Sequence, residues 1–181
     1  MKKIATMLIA ALVLSFSLSM ATPALMGEDA KTIEVNGVFK VDVVVPDGYT
    51  YMDNWVNPTL YLASLTPDDA QKPFLMLSIA LSEIYQGRTI NEFTKEELNN
   101  LIAVYQEHYD EPESSIKETG LGTKLVVLKE KSEADPHVEV ISVYKGYEVS
   151  VLLVPHVSET AITDGDIQFA IDFLTEMKIT D

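Results

Sequence analysis

The densest run of side chains able to do chemistry is Glu107-His108-Tyr109-Asp110-Glu111-Pro112-Glu113, one imidazole among several carboxylates. Carboxylates suit a hard cation such as calcium or manganese, and His108 could add a nitrogen for a transition metal. The metal candidates are therefore His108, Asp110 and Glu111. Their spacing is neither that of an HExxH pair nor that of a calcium loop, and a solvated helix end accounts for the same residues. A second acidic group, Glu130, Glu133, Asp135, His137 and Glu139, surrounds Pro136 and reads as a charged turn that discourages edge pairing. Asp164-Gly165-Asp166 begins like a calcium loop but lacks its later glycine and glutamate, so a helix cap explains it better.

Other reactive patterns fail on context. Gly120-Leu121-Gly122-Thr123-Lys124 is too short between its glycines for a phosphate loop, and a strand rather than a helix follows it. No Gly-x-Ser-x-Gly elbow is present, and the absence of cysteine excludes thiolate nucleophiles, disulfides and Cys-ligated metals. The richest recognition chemistry is aromatic: Tyr49, Tyr51, Met52, Trp55 and Tyr61 gather large amphipathic rings within a short span. The partner-binding candidates are Tyr49, Tyr51, Trp55 and Tyr61, with closure of a sheet end as the competing use of the same rings.

The elements that must position these residues alternate clearly. Thr32–Val35 and Val38–Val45 are joined by Asn36-Gly37, a two-residue hairpin signal, and Pro46-Asp47-Gly48 ends the second strand. Tyr49–Asp53 reads as a short extension and Thr59–Leu65 as another strand. Phe74–Ile84 is apolar on both faces, the pattern of a central strand covered on each side. Asn91–Tyr109 then changes to helical spacing, with Leu98, Leu101, Ile102, Tyr105 and Tyr109 on one stripe. Lys124–Lys129, Val138–Tyr144 and Tyr147–Val154 are strands, and Ser115–Glu118 is a weaker one. A closing helix starts at Thr163 with Asp166 in capping-box position and presents Ile167, Ala170, Ile171, Leu174 and Met177 inward. Strands interrupted by one helix and closed by another predict an α+β domain: a central antiparallel sheet of about six strands with helices packed on it.

Composition agrees with that class. A chain of 181 residues, 47% hydrophobic, suffices for one self-supporting core without metal or disulfide, so no cofactor is expected. The net charge of −15 argues against nucleic acid and anionic lipid as partners and leaves basic proteins or cations. Lys2 and Lys3 precede an apolar run from Ile4 to Ala21, the form of a secretory signal with cleavage after Ala21 or Ala24; an uncleaved membrane anchor is the competing use of the run, which Ser15, Ser17 and Ser19 disfavour. Loss of residues 1–24 would take the charge to −17. The expected organisation is a signal peptide over 1–24, a flexible start over 25–31 and one domain over 32–181. That places the mature protein in the periplasm or outside the cell, with no stable membrane insertion after cleavage.

Four local features carry a resemblance. They are Phe39-Lys40-Val41 leading through Val45-Pro46-Asp47-Gly48-Tyr49; Gly122-Thr123-Lys124-Leu125-Val126-Val127; the hairpin Tyr144-Lys145-Gly146-Tyr147; and Asp172-Phe173-Leu174 followed by Met177-Lys178-Ile179. Together with the element order over residues 32–181, they resemble the PsbP-like superfamily and its DcrB-like exported bacterial relatives. The resemblance implies an α/β/α sandwich used for binding or assembly, and no catalytic motif of the family maps onto this chain. The expected function is accordingly a non-enzymatic module of the cell envelope that recognises a protein partner, basic in character. A divalent-cation-binding accessory protein is the alternative, and a hydrolase with a site invisible in sequence is the second alternative.

Overall fold

The computed structural model describes residues 30–120, 122–132, 135–156 and 161–181. The expected signal peptide, the start of the mature chain up to residue 29, and Glu133 of the second acidic group lie outside the described residues. Among them, no helix is long and apolar enough to cross a membrane.

The domain is α+β, built from a seven-stranded and a three-stranded antiparallel sheet with two helices. Strands β1 (Ala30–Val35) and β2 (Phe39–Val44) form the expected hairpin. Asn36 and Gly37 both take positive φ, 49° and 68°, as its two-residue turn demands. This hairpin does not open the main sheet, which corrects the sequence reading. It joins β10 (Lys178–Thr180) in the small sheet, where Ile179 pairs with Val41. Alternation specifies which face of a strand is buried but not which neighbour it finds.

The large sheet runs β3 (Tyr49–Asn57), β4 (Leu60–Pro67), β5 (Phe74–Leu81), β9 (Tyr147–Val154), β8 (Val138–Tyr144), β7 (Lys124–Glu130), β6 (Pro112–Glu118). Seven strands rather than about six arise because Ser115–Glu118 extends back to Pro112 as the edge strand β6. A proline is tolerated there because an edge strand leaves one row of N–H groups unpaired in any case.

The two helices lie on opposite faces of this sheet. Helix α2 (Asp164–Glu176) and the small sheet cover one face, burying Leu65, Leu77, Val140, Val151, Ala170 and Leu174 in the main core. Phe39 stands edge-on to Tyr144 and Tyr147, at centroid distances of 5.2 and 5.1 Å, and locks the small sheet to the β8–β9 hairpin. Thr163 caps α2: its Oγ1 accepts from Asp166 N–H, while the Asp166 carboxylate accepts from Thr163 N–H at 2.8 Å. The Asp164-Gly165-Asp166 run is thus a helix start, as its pattern suggested.

Helix α1 (Lys95–Gln106) lies on the other face and makes a smaller core from Leu98, Leu101 and Ile102 against Val126, Leu128, Ile141 and Val143. Thr94 and Glu97 form its capping box, and the Arg88 guanidinium at 2.7 Å helps hold the Glu97 carboxyl down to about 2. Lys124 Nζ donates to the Phe93 carbonyl at 3.2 Å, pinning the same end of α1 to β7. The second core involves β7 and β8 but not β3, β4 or β5, so α1 roofs only half of its face. This corrects a second expectation. On β5, Leu75, Leu77 and Ile79 are buried beneath the small-sheet side; on the α1 side Met76 is buried as well, whereas Phe74, Ser78 and Ala80 are half-buried.

Candidate functional site

Registers across the large sheet place Trp55, Leu62, Ser78, Ser150, Ile141, Val126 and Ile116 in one continuous row on the α1 face. The row beside it runs Met52, Ser64, Met76, Leu152, Glu139, Leu128 and Ser114. A third contains Asn57, Leu60, Ala80, Glu148 and Val143. The β7–β8 end of these rows lies under α1; toward β3 the cover thins, with Ser64 and Met76 still buried, Leu62, Ser78 and Ala80 half-buried, and exposure greatest on β3. Trp55, 57% exposed, and Met52, 43% exposed, stand on the open rim.

Helical geometry orients α1 on the sheet. Gln106 Nε2 donates to Ser114 Oγ at 3.2 Å, which turns that flank of α1 toward β6. Val104, about 200° away around the helix, belongs to a different flank and is 55% exposed. The outer half-sheet is therefore a partly covered apolar floor with small residues at its centre and Trp55 on its rim.

A bulge between Asp53 and Trp55 decides the fate of the aromatic candidates. The extra residue shifts the alternation by one, so Trp55 faces the α1 side while Tyr51 and Tyr61 face the main core. Tyr51 and Tyr61 hydroxyls bond one another, and Tyr61 Oη donates to Asp53 Oδ1. Burial first, then Tyr61 and Asp53, drives the Tyr51 phenol far above its ordinary range; burial first, then Asp53, raises Tyr61, with its bond to Tyr51 acting in the opposite direction. Tyr49 stacks on Phe169 of α2 at 5.6 Å and donates to the Pro73 carbonyl at 3.2 Å; burial first, then nearby carboxylates, push its hydroxyl up to about 12. The structure thus divides the four candidates: three tyrosines seal the edge of the core, and Trp55 alone faces the open surface.

The metal candidates are not assembled around a cation. Asp110 and Glu111 use their backbone N–H groups, at 2.7 and 2.9 Å, to bind the buried Glu130 carboxylate, which also accepts from Ser132 N–H at 2.7 Å. Burial opposes the charge on Glu130, yet the three N–H donors hold its pKa below the usual carboxylate range. Both acidic clusters therefore meet in space, but as a carboxylate accepting main-chain hydrogen bonds. The side chains of His108, Asp110 and Glu111 are on the exposed surface. Among the described residues, no three His, Cys, Asp or Glu side chains converge in a way that could hold a metal ion. His156 is exposed at the end of β9.

A group that the spacing did not reveal lies under α1. Glu139 on β8 and Glu148 on β9 flank Ser150, one row to each side, and both point to the helix face. Ser150 donates to Glu139, Tyr109 Oη reaches Glu139 Oε2 at 3.4 Å, Tyr85 Oη donates to Glu148 Oε2 at 3.1 Å, and Tyr105 bonds Glu148 as well. Burial is the main cause that lifts the Glu139 carboxyl to about 7, with the Glu148 charge adding to it; burial likewise raises Glu148 despite its phenol donors. Tyr85, Tyr105 and Tyr109 are all pushed up, by burial first and by these carboxylates second. A signal was present in the sequence: Glu139 shares a strand face with Ile141 and Val143, so it interrupts an apolar surface rather than belonging to a solvated one.

A separate cleft of about 250 Å³ lies between α2 and the end of β6, lined by Lys117, Glu118, Gln168 and Asp172 among others. Its Gln168 and Asp172 side chains satisfy one another at 2.8 Å.

No family model and no curated protein matches the chain.

Proposed function

We propose that the protein is an exported, non-enzymatic binding module that captures a protein partner on the open half of its large sheet. The single observation carrying this reading is the Trp55–Leu62–Ser78 row, which continues a helix-covered core out into solvent and ends on the chain's one tryptophan. A sheet face of this kind is a core lacking its second layer, and a partner's apolar segment laid beside α1 would complete it. Tryptophan at the rim supplies the rigid, large-area anchor on which interfaces rely. The strong negative charge of the chain favours a basic partner by steering the encounter. Membership of the PsbP-like superfamily belongs to the same proposal and is supported by the antiparallel sheet with one helix on each face. The N-terminal pattern Lys2-Lys3 followed by the Ile4–Ala21 run supports export to the periplasm or beyond.

The test is Trp55→Ala in the intact protein, with partner capture and thermal melting measured side by side. Because Trp55 is mainly exposed, capture should fall about tenfold or more while the melting temperature moves by only one or two degrees. A large fall in melting temperature with capture preserved would reject the reading.

A further inference from the structure

We propose that the free edge of β3 takes up an extended, lysine- or arginine-rich segment of the partner as an eighth strand of the large sheet. The segment pairs main chain to main chain along Tyr49–Asp53, and its end runs against Trp55 on one face of the sheet and Val56 on the other. This rests on the docking reading above and deepens it by naming what the partner presents.

Among the described residues, β3 pairs with β4 alone, so one side of its nine-residue backbone has no neighbouring strand. The register says which groups are left over. Asp68 N–H donates to the Gly48 carbonyl at 2.8 Å, which marks Gly48 and Asp68 as a hydrogen-bonded pair. Such pairs alternate along an antiparallel ladder, so the main chain of Thr50 and Met52 bonds to β4, while that of Tyr51 and Asp53 points outward. Beyond Asp53 the bulge breaks the ladder, which limits regular pairing to the stretch before it. Val56 is paired with Tyr61, whose ring packs on the main core, so Val56 lies on the small-sheet face and Trp55 on the α1 face. An added strand, with side chains alternating between the two faces, covers both.

The other sheet edges are blunted against such pairing. Strand β6 begins at Pro112 and carries Glu113, Lys117 and Glu118, and β1 carries Lys31 and Glu34. Strand β10 has only three residues, and Asp181 after it is tied down by Lys145 at 2.6 Å and by Tyr144 at 3.0 Å. Strand β3 contains neither proline nor lysine, and it exposes Met52, Trp55 and Val56. Charge then selects the occupant. Exposed carboxylates stand at both ends of the pairing stretch, Asp47 before it and Asp53 within it, and Asp68 adjoins its start. A second copy of this chain would bring the same carboxylates and the same net charge of −15 to the edge and be repelled, whereas a basic segment is attracted.

The test is amide hydrogen exchange of the intact protein with a peptide alternating lysine and valine as the probe. Two control peptides go alongside: the same sequence N-methylated at every residue, which keeps the side chains and removes the N–H donors, and one with glutamate in place of lysine. The lysine peptide should raise protection of the Tyr51 and Asp53 amides by about tenfold or more and shift the emission of Trp55, the chain's one tryptophan, to the blue. Neither control should do so. Unchanged Tyr51 and Asp53 amides, equal protection by the N-methylated peptide, or protection gained on β6 instead would overturn strand addition. Equal protection by the glutamate peptide would overturn the basic partner, and a missing blue shift would overturn the part given to Trp55. Protection that rises with protein concentration in the absence of any peptide would overturn the proposal in favour of a second copy. Failed strand addition with partner capture still lost in Trp55→Ala would leave the docking face standing.

Discussion

Tyr85 donates a 3.1 Å hydrogen bond to Glu148, which ties the turn before α1 to the strand beside it. The contact links residues 63 positions apart and places a phenol where the open face meets the helix-covered one. Tyr85→Phe removes the hydroxyl and leaves Tyr105 as the remaining phenol on Glu148. The expected cost is about 1 kcal/mol, read by urea denaturation. It should be greater at pH 8 than at pH 5, because a charged acceptor makes the stronger bond.

Glu139 and Glu130 should set stability limits of opposite sign. Glu139 is raised to about 7 when folded, so the folded state holds the proton more tightly than the unfolded chain. Its contribution is fully present below the ordinary glutamate range and is lost as pH rises through about 7. On the order of 3 kcal/mol is at stake across that window, and Glu139→Gln should flatten the profile measured by denaturation between pH 4 and pH 8.

Glu130 is lowered, so its contribution is present above the ordinary glutamate range and disappears as pH falls through the depressed folded value. Glu130→Gln replaces one acceptor oxygen by an amide donor facing main-chain N–H groups. The predicted loss is about 2 kcal/mol or more at pH 7 and is smaller at pH 3, both read by thermal melting. A loss that stays constant with pH would contradict the role given to its charge.

Gly146 illustrates how the tight hairpin serves the site. Its φ is 83°, and a Cβ there would lie 2.8 Å from the Gly87 backbone nitrogen. The same residue donates to the Arg88 carbonyl at 2.9 Å and accepts from Ser82 N–H at 3.0 Å, holding the turn that carries Tyr85. Gly146→Ala should cost about 2 kcal/mol or more, since both the backbone conformation and the close approach resist a side chain. Gly120→Ala, where an added Cβ meets nothing within 4 Å, should be close to neutral by the same melting assay.

Much of the local structure was legible because it follows from short-range rules. Asn36-Gly37 and Lys145-Gly146 specify hairpins through residues that accept positive φ, and Thr163 with Asp166 specifies a helix start through reciprocal hydrogen bonds. Assignment of strands to sheets was not legible, since β2 finds β10 across most of the chain and no local residue encodes that pairing. The bulge after Asp53 was also hidden, and it alone separates Trp55 from the tyrosines grouped with it by sequence. Glu139 is masked by its nearness to the charged turn around Pro136, although it shares a strand face with Ile141 and Val143, and Glu148 sits on a mixed face that only the placement of α1 turns into an interior.

The most direct measurement replaces Trp55 by a photo-crosslinking amino acid in the protein expressed in its native cell, with Val38 on the small-sheet hairpin as the matched exposed control. Adducts with one protein species at position 55, absent at position 38, are the predicted result. Adducts formed equally at both positions, or at position 38 alone, would contradict the open half-sheet as the surface on which this protein meets its partner.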